Sequence, residues 1–121
     1  MKVPKMILRI AVTCFLLATP ALAQELAAGD VIRSAVSGNT VQGSMTSSGV
    51  YTEFYADDGA IKGQGYTGIW RIEGDTMCFT YGDTPATCLG ARVDGDQITW
   101  VENGTDDIGT GAIVVGNPNG F

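Results

Sequence analysis

Short runs of alternating apolar and polar residues follow one another along most of this 121-residue chain. Eight of them have the length and alternation of β-strands, and glycine-rich or acidic turns separate them. The runs cover residues 40–46, 50–56, 60–64, 68–73, 76–81, 86–94, 97–102 and 110–115. This spacing predicts an all-β domain, a single antiparallel up-and-down meander that forms a barrel or a strongly curved sheet.

One segment ahead of the strands has a different period. Between Leu26 and Val36 the apolar residues recur at helical spacing, and Gly38 follows as a stop signal. Because glycine commonly ends helices, we predict a short N-terminal helical segment here, either α-helical or 3₁₀.

Turns in the middle of the chain allow the strand register to be predicted. Two-residue loops at Gly74-Asp75 and Gly95-Asp96, with a third loop around residues 82–84, place the large apolar residues of these strands on one face. The directly opposed pairs are then Ile72 with Met77, Trp70 with Phe79, Met77 with Leu89, Val93 with Ile98, and Ala91 with Trp100. We expect the core aromatic residues to be Phe54, Trp70, Phe79 and Trp100.

The same register places Cys78 directly opposite Cys88 on the other face of the central hairpin. Directly opposed residues of a non-hydrogen-bonded pair have Cβ atoms close enough for a disulfide. We therefore predict a Cys78–Cys88 disulfide that links the hairpin from outside. Cross-linking a loop of about ten residues stabilises a domain by about 2–3 kcal/mol in the chain-entropy model.

The hairpin before it is predicted in the same way. With Asp58-Gly59 as a two-residue loop, Phe54 points to the core and Tyr55 faces Lys62 on the outer side. Alternate residues of this strand then form an outward row, which is either a contact surface for a partner or ordinary cross-strand cover. The residues of the row are Tyr51, Glu53 and Tyr55.

Residues 1–23 have the pattern of a secretory signal peptide. Three basic residues precede an apolar run over residues 10–17, and Ala21-Leu22-Ala23 is an A-x-A cleavage site. The apolar segment covers about a dozen positions, fewer than the roughly 20 that a membrane-spanning helix needs. We expect cleavage before Gln24, one domain over residues 24–121, a periplasmic or secreted protein, and no stable membrane insertion afterwards.

Charge and residue usage exclude several classes of function. Residues 24–121 retain four of the seven basic residues and all thirteen acidic ones, a net charge of −9 that would repel nucleic acid and anionic membranes. The chain has no histidine, so it has no histidine-based triad, imidazole base or imidazole metal ligand. The carboxylate pairs Asp57-Asp58 and Asp106-Asp107 fall in turns, and weak Ca²⁺ binding there is left open. We expect no catalytic residue, no metal, no cofactor and no enzymatic activity.

Four segments carry a resemblance to a known group of proteins. They read SGNTVQG (37–43), YADDGAIKG (55–63), GIWRIEGDTMCFTY (68–81) and GNPNGF (116–121). They resemble small exported bacterial proteins of unknown function in which an S-G-N-T segment precedes a Y-x-x-D-G-x-x-x-G hairpin and a G-x-W-x-[IV]-x-G-D-x-x-C hairpin. The resemblance implies a lipocalin-like β-barrel, and Gly68-Ile69-Trp70 is similar to the lipocalin G-x-W. It implies no particular binding residue.

These observations favour an acidic, non-catalytic accessory or binding protein of the bacterial cell envelope. Its partner would be an envelope protein or a small apolar ligand. The alternatives are an inhibitor of a hydrolase (a protease or lysozyme) and a small-ligand carrier of lipocalin type. An open apolar interior would favour ligand carriage, and a filled one would favour recognition through the surface. Large side chains nearly fill a small barrel, but the sequence does not decide between the two. The large side chains are Trp70, Met77, Phe79 and Trp100.

The predicted cleavage site gives a direct test. The intact mass of the exported protein should correspond to a chain that begins at Gln24, with two hydrogens fewer than the reduced form because of the disulfide. A mass that includes residues 1–23 would contradict the signal-peptide prediction.

Overall fold

The computed structural model describes residues 25–121, and the predicted signal peptide and its cleavage site lie outside the described residues. Among residues 25–121, no helix has the length and apolarity that crossing a membrane requires. One helix precedes eight strands: α1 (Gly29–Val36), β1 (Asn39–Met45), β2 (Gly49–Tyr55), β3 (Ala60–Gly63), β4 (Tyr66–Glu73), β5 (Thr76–Thr80), β6 (Thr87–Asp94), β7 (Gln97–Glu102) and β8 (Asp106–Val115).

Each strand pairs antiparallel with the next, and β8 pairs with β1, so the sheet is a closed barrel. This confirms the predicted up-and-down meander, and of the two forms expected it is the barrel. Closure leaves no exposed sheet edge, because every strand has a neighbour on both sides.

The three central hairpins have the predicted register. Trp70 pairs with Phe79 and Ile72 with Met77 across β4 and β5. All the other predicted pairs of these hairpins are also present: Met77–Leu89, Cys78–Cys88, Val93–Ile98 and Ala91–Trp100. The two cysteines form the predicted disulfide. Both two-residue loops contain a glycine with positive φ, Gly74 at 57° and Gly95 at 58°, which suits hairpin turns of this length.

The register predicted for the β2–β3 hairpin is wrong by one residue. Tyr55 pairs with Ile61, and Phe54 with Lys62. The loop has three residues, Asp57-Asp58-Gly59, with Gly59 at φ 96° and the Asp58 carboxylate accepting a hydrogen bond from the Ala60 N–H (3.0 Å).

A shift of one residue reverses the two faces of a strand, because side chains alternate along it. Tyr51, Glu53 and Tyr55 therefore point into the barrel, and the predicted outward row is wrong. Tyr55 is 1% exposed and Glu53 is 7% exposed. Phe54 correspondingly lies half-buried on the outer face and is not a core aromatic residue.

Helix α1 covers one end of the barrel. Its Ile32 and Val36 are fully buried and belong to the same core cluster as Trp70 and Met77. The Trp70 indole N–H donates to the Ala56 carbonyl (2.8 Å), so the buried ring has its hydrogen bond. Large apolar side chains occupy this end of the barrel, so a binding site is expected at the opposite end.

A side chain from a distant turn caps the helix. Residue Ala28 at the N-cap supplies no side-chain hydrogen bond, but the Asp75 carboxylate, in the β4–β5 turn, accepts one from the Gly29 N–H (2.9 Å). An anion at a helix N-terminus also interacts favourably with the helix dipole. This bond joins α1 to the sheet.

Replacing Asp75 by alanine should therefore lower the free energy of unfolding by about 1 kcal/mol, the usual cost of a lost N-cap. The matched control is Asp96→Ala, the same position of the next two-residue turn. It should cost less than about 0.5 kcal/mol because the Asp96 side chain is exposed and accepts a hydrogen bond from the neighbouring Gln97. Urea melts of both variants measure the difference. Equal losses would show that the cap contributes nothing.

Candidate ligand-binding cavity

The end of the barrel opposite α1 contains a cavity of about 670 Å³. The β1–β2 turn, the β3–β4 turn, the β5–β6 loop and the β7–β8 turn surround this end, and exposed Ser48 and Gly82 from two of them line the cavity. The sequence did not decide between a filled and an open interior, and this end of the barrel is open. Phe79 and Trp100 form part of the cavity wall, whereas Trp70 and Met77 do not reach it.

Glycines on the inner face of β1 and β8 leave room for the Tyr51 and Met45 side chains, which line the cavity. Gly43 pairs with Gly111, and Gly109 with Met45, so this part of the wall has little side-chain volume. A Cβ on Gly111 would lie 2.6 Å from the Tyr51 hydroxyl oxygen, closer than such atoms approach. The Tyr51 side chain therefore packs directly against the backbone of Gly111.

Six aromatic rings line the cavity, and they include all four tyrosines of the sequence. Phe79 and Trp100 contact edge to face, with ring centroids 5.2 Å apart, and Tyr55 lies 6.1 Å from Phe79. The six rings are those of Tyr51, Tyr55, Tyr66, Phe79, Tyr81 and Trp100.

Hydrogen bonds hold Tyr51 and Trp100 in place on one side of the cavity. The Trp100 indole N–H donates to the Tyr51 hydroxyl oxygen (2.9 Å), and the Tyr51 O–H donates to the Thr110 carbonyl (3.2 Å). Both rings are thus oriented by contacts that need no ligand, so this wall is already formed.

The polar centre of the cavity is the Glu53 carboxylate. The Tyr81 hydroxyl lies 2.8 and 3.0 Å from its two oxygens and donates to them. Tyr66 packs against Tyr81 with ring centroids 6.1 Å apart, and the hydroxyls of Tyr66 and Tyr55 also interact with Glu53. Gly68 permits this arrangement, because a Cβ there would lie 2.8 Å from the Tyr81 ring.

Burial changes the pKa values of Glu53 and of the tyrosines next to it. It raises the pKa of Glu53, and hydrogen bonds from Tyr81, Tyr66 and Tyr55 oppose the rise. Burial, followed by the negative charge of Glu53, raises the pKa of Tyr66 to about 12 and that of Tyr81 further. These tyrosines remain neutral hydrogen-bond donors at physiological pH.

Five of the residues predicted as core aromatic or surface-contact residues meet in the cavity wall. Two tyrosines that the sequence reasoning missed join them. Tyr51, Glu53, Phe79 and Trp100 all line the cavity, as does Tyr55, whereas Phe54, Trp70 and the Cys78–Cys88 disulfide do not. The missed residues are Tyr66 and Tyr81. Counting alternate positions outward from Trp70 on β4 and from Phe79 on β5 would have placed both on the inner face.

One group of potential metal ligands lies elsewhere. Within residues 25–121, only Glu73, Cys78 and Cys88 bring three candidate ligand atoms close together. Two of those atoms are the sulfurs of the disulfide, which are not thiolates, and the thiolate is the form that binds metals. The cluster therefore offers no metal site in this state.

No protein-family model, curated protein sequence or solved structure matches this chain. The resemblance to small exported lipocalin-like proteins stays a prediction.

The raised pKa of Glu53 has a consequence for stability. Since the folded-state pKa exceeds the ordinary value of 4.5, the carboxyl's contribution to stability is complete below that pH and is lost as pH rises through the folded-state pKa. Wild type should therefore lose stability relative to Glu53→Gln between pH 4.5 and pH 8. Urea melts across this range measure the difference.

The exposed Glu102→Gln variant is the control for that experiment and should follow wild type at each pH. A constant difference between wild type and Glu53→Gln over the whole range would show that burial of this carboxylate has no energetic cost.

Proposed function

We propose that this protein is an exported, non-catalytic binding protein of the bacterial cell envelope that holds one small, mainly apolar molecule in the open end of its barrel. The supporting observation is the aromatic cavity of about 670 Å³. Ligand pockets usually measure about 300–1,000 Å³ and combine apolar walls with few polar groups. Barrels of eight strands are just wide enough to hold one small ligand.

The cavity wall supports binding without rearrangement of the protein. Trp100, Tyr51 and the Thr110 carbonyl form one hydrogen-bonded chain, and Tyr81 donates a hydrogen bond to Glu53. Side chains already held in place lose little conformational entropy when a ligand binds. Most of the free energy of binding is therefore expected to come from burial of the ligand itself.

Export is part of the proposal. It rests on the predicted signal peptide and on the Cys78–Cys88 disulfide, since disulfides persist mainly in oxidising compartments. The absence of histidine from the sequence supports a role without catalysis.

Recognition of an envelope protein or a hydrolase through the barrel surface is less well supported. That role needs a contact surface that faces outward. The row of residues predicted to form such a surface, Tyr51, Glu53 and Tyr55, lines the cavity instead. An interior site with six aromatic rings favours a small molecule as the partner.

A bulky side chain at the cavity mouth should block binding. Thr87 is exposed, lines the cavity and pairs with Phe79, so an indole at this position would occupy the entrance. Fluorescence titration with N-phenyl-1-naphthylamine, a neutral apolar probe, should show saturable binding to wild type. Thr87→Trp should weaken it at least about tenfold, or about 1.4 kcal/mol.

The matched control is Thr105→Trp, an exposed substitution in the β7–β8 turn at the same end of the barrel that does not line the cavity. It should bind the probe as wild type does. Equal binding by Thr87→Trp, or no saturable binding of this or any other small probe with an apolar body to wild type, would contradict the proposed site.

A further inference from the structure

Among the described residues, those that line the cavity include one carboxyl group and no lysine or arginine. That carboxyl group belongs to Glu53. Glu53 is 7% exposed, and its hydrogen-bond partner, Tyr81, is neutral. The wall thus presents a buried carboxyl group without a basic partner.

The basic residues of the barrel lie elsewhere. Arg71 pairs with Glu73 and Arg92 with Asp107. Arg33 on α1 lies over the Trp70 ring, 5.7 Å from its centroid, at the closed end. Lys62 is exposed and pairs with Phe54, which lies on the outer face. Within residues 25–121, Glu53 therefore has no cation to offset its removal from water.

The aromatic rings of the cavity attract positive charge, as the Glu53 carboxylate does. The face of an aromatic ring is negative, and cations are attracted to it, most strongly where water is excluded. Six rings line the cavity together with Glu53, and aromatic sites bind quaternary ammonium groups in other proteins.

Charge around the mouth adds to this preference. The turns at the open end, residues 46–48, 64–65, 81–86 and 103–105, contain no lysine or arginine. Asp83 lies within one of them, and Glu102 and Asp106 flank another. Such a field attracts cations to the opening and repels anions.

We propose that the ligand of this cavity is an organic cation, an amine or quaternary ammonium group attached to an apolar body. The inference rests on the proposed ligand-binding function. The cationic group would lie between Glu53 and the ring faces, and the apolar part would pack against Leu89 and Met45, which also line the cavity. Fatty acids and other organic anions are disfavoured because they would bring a second negative charge next to Glu53.

Three probes with the same eight-carbon chain test this: octyltrimethylammonium, 1-octanol and octanoate. Calorimetric titrations at pH 8 give the affinity of each for wild type. The cation should bind at least about tenfold more tightly than the alcohol, and octanoate should bind most weakly. This comparison needs no variant, so it does not depend on the folding of a mutant.

Two variants test whether Glu53 is responsible for the preference for a cation. In Glu53→Gln the ratio of cation to alcohol affinity should fall several-fold, whereas Glu102→Gln, an exposed carboxylate at the same end that does not line the cavity, should retain the wild-type ratio. Equal ratios in wild type and Glu53→Gln would overturn the role of Glu53.

The outcomes separate the two proposals. If 1-octanol or N-phenyl-1-naphthylamine binds and the cation binds no more tightly than the alcohol, the inference of a cationic ligand is wrong and the proposed binding function stands. If neither these two probes nor the cation bind, the proposed function itself is overturned.

Discussion

Pairing between β1 and β8 is the interaction on which the rest of the molecule depends. It joins residues about 70 positions apart and runs over seven residue pairs, from Asn39–Val115 to Met45–Gly109. Within it Gly43 lies against Gly111, and a Cβ on Gly43 would lie 1.8 Å from the Thr110 carbonyl oxygen. Larger side chains would separate the strands. Closure of the sheet, and with it the existence of an interior, therefore requires glycine here.

Closure gives the barrel two ends with different roles. At one end α1 supplies Ile32 and Val36 to the core, and the Asp75 cap ties the helix to the β4–β5 turn. At the other end inward-facing glycines and tyrosines leave a cavity. Apolar burial at the closed end, together with the disulfide, stabilises a domain whose open end buries a carboxylate.

Glu53 illustrates how a site can oppose stability. A buried carboxylate is unfavourable unless hydrogen bonds or a positive charge offset the lost hydration. Tyr81 donates to both of its oxygens, which keeps the group oriented but supplies no charge. Polar groups retained inside an otherwise apolar wall at such a cost are common where a protein binds a ligand.

Local sequence determined much of the fold. Two-residue turns and strict alternation predicted the pairing of Trp70 with Phe79 and of Ala91 with Trp100, and the loop around residues 82–84 predicted that of the two cysteines, because each pairing depends only on residues close in the chain. The three-residue loop after β2 has turn chemistry compatible with either length, so the face of Glu53 was predicted wrongly. Only tertiary structure placed that carboxylate with Tyr66 and Tyr81, which come from other strands.

The cavity itself was also decided by tertiary structure. Its volume depends on how closely β1 and β8 approach and on which rings lie over Gly111 and Gly68. Those contacts join residues far apart in the chain, and no local pattern specifies the space left between them. Turn chemistry and side-chain alternation are properties of short segments, whereas interior volume is a property of the closed barrel, and for that reason only the folded molecule revealed the candidate site.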